Sequence, residues 1–535
     1  MPENGANRAH PAIQELWSAA LLAGAVTLVY ANALSGTFQL DDFHTIVFNE
    51  SIRNLGNLRA ILLGGPRPVA NLMNALDFAL FGLSPIGYHA TNIAIHAATC
   101  VLVWRLLRRA AERSLLRDSL AKSLCLGFAV LYAVHPLNTM AVTYIIQGRM
   151  AALAALVAVG CVLSFTVYAD SGRRRWAVLS LSCLLVAVAT KEHVVTLPLV
   201  LVAWDHFFVS KRSLKTILRE RGIFHSLSFG LLAVLGGLLF FRYYGELLDV
   251  FLGRSGARDF GNTVAVITPY RYLLTEFGVI LRYLRLMVLP LGQSAEYYWP
   301  VATSFFALSV VGPVVVLLGL AGTAAWFGRR NALIAFGALW FALFLLVESS
   351  IVPLEDVIFE HRAYLPFIGV VLLLVGVAQE ALETRFGVMV ASSPASPRLI
   401  LGALLVLAVP YGAAAHIRNA VWQDTLTLYE DAYQKYPEHP RVRANLMAAY
   451  IDRGRFREGV QLFAGLPTYY REEPVVLYNA ALAYFSLGQL EMAKRILQSI
   501  ANEPYGGIRE RVAVLLSQIA EAQAPAGTMM PTPPQ

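Results

Sequence analysis

Residues 308–346 read LSVVGPVVVLLGLAGTAAWFGRRNALIAFGALWFALFLL. Two apolar runs flank a single Gly-Arg-Arg, so the chain leaves water, meets it again for a few residues and leaves once more. At a rise of 1.5 Å per residue, about 20 apolar residues cross the roughly 30 Å of hydrocarbon in a bilayer. The same pattern recurs near 17–36, 88–106, 123–140, 142–168, 176–190, 194–209, 223–243, 303–327, 332–350, 363–381 and 398–415, which predicts about eleven crossings. Composition agrees: of 535 residues, 57% are hydrophobic and 15% charged, and the mean hydropathy is +0.56. Soluble domains carry roughly a quarter charged residues. The fold class expected is therefore all-α, a polytopic membrane protein.

The formal net charge of +8 does not form a nucleic-acid face, because the basic residues sit in short loops between apolar blocks. These loops are RLLRRAAERSLLRDSLAKS (105–123), SGRRR (171–175), SKRSLKTILRERG (210–222), GRR (328–330) and ETR (383–385). By the positive-inside rule they face the cytoplasm. The block TPYRYLLTEFGVILRYLRLMVLPLG (268–292) is interrupted by Arg271, Glu276, Arg282 and Arg285, and a charge at the bilayer centre costs roughly 2.5–3.5 kcal/mol. Reading it as an interfacial or re-entrant helix keeps every basic loop inside, with the N-terminus in and the C-terminal domain out. The chain is expected to be an integral, multi-pass membrane protein with that domain on the outer, non-cytoplasmic side. The first apolar block ends in Ala31-Asn32-Ala33, which looks like a signal-peptidase site, but Glu3 and Glu15 beside Arg8 make a poor n-region. It is read as an uncleaved span. Cys100, Cys125, Cys161 and Cys183 lie inside apolar blocks, where cysteine behaves as a small hydrophobe, so neither disulfides nor a metal cluster are expected.

The C-terminal part has its own period. RANLMAAYIDRGRFREG recurs as LYNAALAYFSLGQLEMA at an offset of 34 residues, pairing Pro440 with Pro474, Asn445 with Asn479, Tyr450 with Tyr484 and Gly454 with Gly488. That period and residue pattern resemble the tetratricopeptide repeat, a helix pair that buries its apolar face by stacking on neighbours. VWQDTLTLYEDAYQKYP (421–437) reads as the second helix of a truncated earlier repeat, and 507–523 as a capping helix. The expected domains are a transmembrane core over 1–416 with a first outer loop at 37–87, a repeat domain over 417–523 and a disordered Pro-rich tail over 524–535.

The outer turns collect the polar residues that hydropathy leaves unexplained. Asp41 and Asp42 follow the first span, and adjacent side chains point in different directions on a helix or a strand, so the two carboxylates have different jobs. One can serve as a base while the other binds a cation or caps a helix. Pro68 can start a helix with the apolar stripe Leu72, Leu76, Ala79, Leu80 and Leu83, placing it in the outer interface. Arg67 at its head, with His89, Asn92 and His96, suggests a polar cavity opening outward; alone, His96 reads as a packing histidine. Further outward turns carry His135, then Gln147 and Arg149, then Lys191, Glu192 and His193, and finally Glu355, Asp356, Glu360, His361 and Arg362. Cations and histidines opposite carboxylates on one leaflet suit an anionic lipid phosphate held beside a base. In that reading Arg149, Lys191, His193, His361 and Arg362 bind the phosphate.

Several of these stretches together resemble one family: RPVANLMNALDFALFGLSPIGYHATNIAIHAATCVLVWRLL (67–107), LYAVHPLNTMAVTYIIQGRMAALAAL (131–156), KEHVVTLPLVLVAWD (191–205), RYLRLMVLPLGQSAEYYWP (282–300) and FEHRAYLP (359–366), followed by repeats. The chain is similar to the transmembrane and tetratricopeptide-repeat protein O-mannosyltransferases, membrane glycosyltransferases of the GT-C class. The resemblance implies a GT-C-like core, a polyprenyl- or dolichyl-phosphate sugar donor, a site on the outer face and an acidic motif in the first outer loop, where Asp41 and Asp42 stand. Animal members carry many more repeats than the two to three found here, which favours a bacterial relative. The expected activity is inverting transfer of a sugar, a hexosyl or mannosyl group, from the lipid phosphate to a hydroxyl of a protein or peptide acceptor brought in by the repeats, with Asn445 and Asn479 as acceptor-binding positions. The lipid phosphate is already a leaving group, so no cofactor is required, although a divalent cation (Mg or Mn) can bind at Asp42. The alternatives are transfer to a lipid or glycan, or a non-catalytic scaffold or transporter with a repeat docking domain. A transporter would show internal symmetry and broken helices with polar groups at mid-span.

Overall fold

A computed structural model describes residues 6–113, 118–243, 267–354, 356–383, 396–502 and 507–523. Glu3, Glu355, the tail 524–535 and parts of two basic loops fall outside the described residues. Helices follow one another along the chain, and no strand occurs among the described residues. They form two compact units: one holds the described residues up to 423 except 294–298, and the other holds 294–298 together with 424–523.

In the first unit a helix stands at each expected crossing. Ile13–Ser35, Pro85–Ala111, Ile145–Ser171, Glu192–Val209, Leu214–Tyr243, Leu308–Gly328, Glu360–Leu382 and Ser396–Ala420 are the eight among the described residues that are long and apolar enough to cross a membrane. Ser119–Ala133 and Pro136–Val142, bent by 49°, make up to a ninth. The other two positions hold shorter helices, Arg174–Thr190 with 17 residues and Ala332–Leu345 with 14. The crossing expected to run to 350 ends as a helix at Leu345, and Glu348 beyond it pairs with Lys191. Ala332–Leu345 packs closely on Tyr364–Glu383, and a Cβ on Gly337 would lie 2.5 Å from the Gly369 carbonyl oxygen. Only glycine allows two backbones so near, and this is how helices associate where no hydrophobic effect drives them together.

Tie points show which turns share an end of this helix bundle. At one end Asp42 accepts from the Ile146 amide, Arg67 pairs with Glu192, Lys191 with Glu348, and the Gln293 amide donates to Pro136 O and Glu360. At the other, Arg108 meets Glu15, Arg113 meets Asp170, and Arg212 donates to the Gly328 and Arg329 carbonyls. Alternate turns thus gather at opposite ends, polar site candidates at one and basic loops at the other.

The helix Pro68–Phe81 is built inside out. Its buried residues are Ala70, Asn74, Ala75 and Asp77, while Leu76 and Leu80 of the apolar stripe are 39% and 73% exposed. Against hydrocarbon this is the favourable arrangement, since a leucine loses nothing in lipid and a carboxylate needs protein partners. Pro269–Val288 is not one of the long apolar helices; one face, with Tyr272, Glu276, Val279 and Tyr283, is buried. The Tyr272 hydroxyl donates to Glu348 O at 2.7 Å and the Tyr283 hydroxyl to Phe359 O at 2.9 Å, so this helix holds the segment that carries Glu360, His361 and Arg362.

The second unit shows the 34-residue period as geometry. Pro440–Asp452 with Phe456–Ala464 repeats as Pro474–Ser486 with Leu490–Ser499, each pair led by proline. The turns between them use Gly454 at φ 74° and Gly488 at φ 77°, a left-handed conformation that excludes most side chains. Thr425–Lys435, capped by Asp424 on the Thr427 amide, precedes them, and Ile508–Gln523 covers the last pair through Val512, Leu515 and Ile519.

Candidate active site

The acidic pair is divided by its backbone. Leu40 has φ 49°, an uncommon left-handed conformation for a residue with a branched side chain, and it throws the next two carboxylates apart. Asp42 turns inward and is fully buried; its Oδ2 accepts from the Gln39 amide and its Oδ1 from the Ile146 amide, both at 2.9 Å. Asp41 stays exposed, while its backbone amide donates to the Tyr144 hydroxyl at 2.9 Å. Tyr144 is stacked on Trp422, with ring centroids 5.4 Å apart. Asp42 therefore staples the first outer loop to the break before Ile145–Ser171, and Asp41 is presented at the surface. Strain held in place by such contacts is frequent where a loop must present a reactive group.

Burial pushes the Asp42 carboxyl up to about 7, opposed by the two backbone amides and by the Arg149 charge. A carboxyl raised in the folded state favours the protonated form there, so its stabilising contribution is complete below the unfolded value near 3.9 and is lost as pH rises through about 7. Hydrogen exchange at the Gln39 and Ile146 amides is accordingly expected to accelerate beyond its intrinsic rise between about pH 6 and pH 8. Mass spectrometry of wild type against Asp42→Asn checks this. Equal pH dependence in both proteins would show that Asp42 does not hold the loop.

Around Arg149 the sequence candidates do not line an open cavity. Arg149 is fully buried, paired with Asp77 and Asn92 Oδ1, and its Nη1 donates to Tyr88 O at 3.1 Å. Asn92 in turn donates from Nδ2 to the Val142 and Ile145 carbonyls, each at 3.0 Å, satisfying oxygens freed by the break between helices. Gly148 makes room for it, since a Cβ there would lie 2.1 Å from the Asn92 side chain. His89 is buried, and His96 bonds Tyr364 OH and Ala133 O. The Nδ1 of His135 accepts from the Leu137 amide, and its ring sits between Phe367 and Tyr411, apart from the acidic pair's contacts. The expected outward polar cavity is thus a buried polar cluster in which Arg149, Asn92, His96 and His135 each bond to the protein.

A second cluster is partly open. Arg67 grips Glu192 bidentately, with Nη2–Oε1 at 2.7 Å and Nε–Oε2 at 3.1 Å, and both side chains are about one-third exposed. Its Nη1 also touches Met150 Sδ, the residue after Arg149, which joins this cluster to the first. Behind it Lys191 pairs with Glu348 at 2.9 Å, both buried. Arg362 lies over the Phe359 ring and donates to Val357 O, with Glu348, Glu276, Tyr272 and Tyr283 around it. His361 is within electrostatic reach of Lys191, Arg362, Arg67 and His193. Three cations face the two carboxylates Glu192 and Glu348; burial pushes the third carboxyl, Glu276, up to about 7 against the pull of Arg362. Arg67, Lys191 and Arg362, with His193 and His361 beside them, gather donors suited to an anion.

Asp77, Glu348 and Glu276 stand against Arg149, Lys191 and Arg362 and were not among the candidates read from the sequence. Asn74 and Asp77, three apart on the face opposite the leucines, were the available signal for the first. Glu360 accepts from Gln293 at 2.6 Å and is buried. No three His, Cys, Asp or Glu side chains group as a metal set among the described residues. Both Asp42 oxygens accept from backbone amides. In the repeats, Asn445 donates to Tyr429 OH at 2.9 Å, a tie between successive helices; Asn479 lies partly buried on Pro474–Ser486.

A tetratricopeptide-repeat family model matches residues 422–477. Over 459 residues the chain is 25% identical to protein O-mannosyl-transferase Tmtc3 of Drosophila melanogaster, covering 74% of this chain and 47% of that protein. It is 32% identical over 170 residues to human TMTC1, covering 29% and 18% respectively, and 23% identical over 504 residues to human TMTC4, covering 83% and 65%. The chain thus spans about half the length of the fly relative. Beside apolar helices long enough to cross a membrane and a tetratricopeptide repeat, the chain is thus similar over most of its length to proteins named O-mannosyl-transferases.

Proposed function

We propose that the chain is a GT-C-type glycosyltransferase that moves a hexose, mannose above all, from a polyprenyl phosphate to a hydroxyl of a protein acceptor with inversion. The observation that carries this reading is the exposed Asp41 at the same end of the bundle as the Arg67, Lys191 and Arg362 cluster, in a chain whose relatives bear the name O-mannosyl-transferase. The acceptor oxygen attacks the anomeric carbon as the bond from that carbon to the phosphate oxygen breaks. The hydroxyl proton passes to Asp41, and the electron pair leaves with the polyprenyl phosphate. A serine or threonine hydroxyl is a weak nucleophile at neutral pH, so a base contributes about 10²–10⁴-fold. Arg67, Lys191 and Arg362, with His193 and His361, face the leaving phosphate and stabilise the charge that grows on it. Arg149 acts from behind, holding Pro68–Phe81 and Pro85–Ala111 beside the break whose Ile146 amide binds Asp42. By the basic loops, the site and the repeats lie on the periplasmic side of the inner membrane.

Purified protein in proteoliposomes, given a radiolabelled polyprenyl-phosphate mannose and a Ser/Thr-rich acceptor protein, tests the reading: label should pass to the acceptor with inverted anomeric configuration. Arg362→Ala is expected to raise the apparent KM for the donor about tenfold or more, since charge-assisted contacts to phosphate contribute roughly 1.5–3 kcal/mol. Unchanged donor KM in both Arg362→Ala and Lys191→Ala would remove the cluster from the donor site, and absence of transfer with every lipid-linked hexose would overturn the assignment.

A further inference from the structure

The second unit contains five residues that arrive from far upstream in sequence, Ser294–Tyr298, and they sit on it as a ligand sits on a receptor. They have no helix or strand of their own. Glu296 is buried against the repeats: Arg441 Nε meets its Oε2 at 2.7 Å, His439 Nε2 stands 3.9 Å from the same oxygen, and the Tyr429 hydroxyl donates to Oε1 at 3.4 Å. Asn445 fixes that hydroxyl from behind, and buried Tyr470 lies within electrostatic reach of both Glu296 and Arg441. The two tyrosines that follow are received by rings, Tyr297 by Tyr436 with centroids 5.7 Å apart and Tyr298 by His439 at 5.4 Å.

This is a built site. Its cation, hydroxyl and aromatic groups come from Thr425–Lys435, from the turn after it and from Pro440–Asp452, so stacking of the repeats assembles it. A carboxylate is expensive to bury and is accepted only where an ion pair and hydrogen bonds await it. Arg441, His439 and Tyr429 meet that need for one acidic side chain, and rings on either side select an aromatic residue at each of the next two positions.

We propose that this face of the repeat domain is a recognition site for an extended peptide bearing Glu followed by two aromatic residues, occupied here in cis by Glu296-Tyr297-Tyr298 and open to competition from a protein presenting the same motif. The site goes beyond the glycosyl-transfer reading and does not depend on it. Asn445 serves in it by orienting Tyr429 rather than by holding an acceptor backbone.

The test uses the full-length protein in detergent and a fluorescein-labelled peptide, SAEYYWP. Wild type, with its site filled, should bind weakly. The double variant Glu296→Ala, Tyr298→Ala should bind at least about tenfold more tightly, and adding Arg441→Ala should cancel that gain, as should a peptide with Gln for Glu. Because the double variant can misfold, wild type is also probed directly: saturating peptide should speed hydrogen exchange at residues 295–298, and the Gln peptide should not. Tighter binding that needs Arg441, or peptide-driven exchange at 295–298, supports the site. A vacated variant with normal gel filtration that binds no better than wild type, or exchange at 295–298 unmoved by saturating peptide, overturns it.

Discussion

Asp41→Asn is expected to lower sugar transfer by roughly 10²-fold or more, the scale of a lost general base, while leaving insertion and folding intact. The separation of effects follows from where the side chain sits. Asp41 is exposed, and the contacts that hold its position run through backbone atoms: its amide donates to Tyr144, and its carbonyl accepts from the Thr45 amide at 2.9 Å and hydroxyl at 2.7 Å. Exchanging the carboxylate for an amide touches none of these and leaves no buried group unpaired. Asp42→Asn should behave in the opposite way. An asparagine oxygen can accept from Gln39 or from Ile146, while its NH₂ end would face the other amide, donor against donor. A loss of about 1–3 kcal/mol at the loop is expected, with activity falling because the loop wanders. Donor turnover measured beside thermal unfolding separates the cases. Full activity in Asp41→Asn would transfer the role of base to another carboxylate, and Glu360 is disfavoured for it by burial and its bond to Gln293.

What the sequence disclosed and what it withheld divide along the range of the interactions involved. Apolar runs and the 34-residue period are local patterns, and each expected crossing holds a helix, with Pro440 and Pro474 at matching starts and Gly454 and Gly488 at matching turns. The acidic pair was legible for the same reason. That the two carboxylates differ was legible as well, but which of them is buried was not, since the amide that holds Asp42 lies 104 positions away at Ile146. Arg149 was legible as a cation beside the membrane, but its partner Asp77 sits 72 positions upstream in a helix whose leucines drew attention to the other face. In water an apolar stripe marks the buried side. Beside lipid it can mark the outside, and the two polar residues on the opposite face become the informative ones.

The pair of Asp77 and Arg149 makes the second large prediction, one that distinguishes a packed support from a phosphate ligand. Both side chains are almost wholly buried, with Arg149 at 0% and Asp77 at 4% exposure. Taking away one partner leaves the other charge without compensation, so Asp77→Asn or Asp77→Leu should cost about 3–5 kcal/mol, seen as a large drop in unfolding temperature in detergent. Removing both charges is a different matter. The variant Asp77→Leu, Arg149→Met restores an apolar match of similar volume, and replacing buried ion pairs in this way is often neutral or stabilising. The double variant should therefore recover most of the stability lost by the single one. If Arg149 instead bound the donor phosphate, the recovered double variant would lose donor affinity as sharply as Arg362→Ala. The buried geometry predicts a KM within about threefold of wild type, because the guanidinium is already committed to Asp77, Asn92 and the Tyr88 carbonyl.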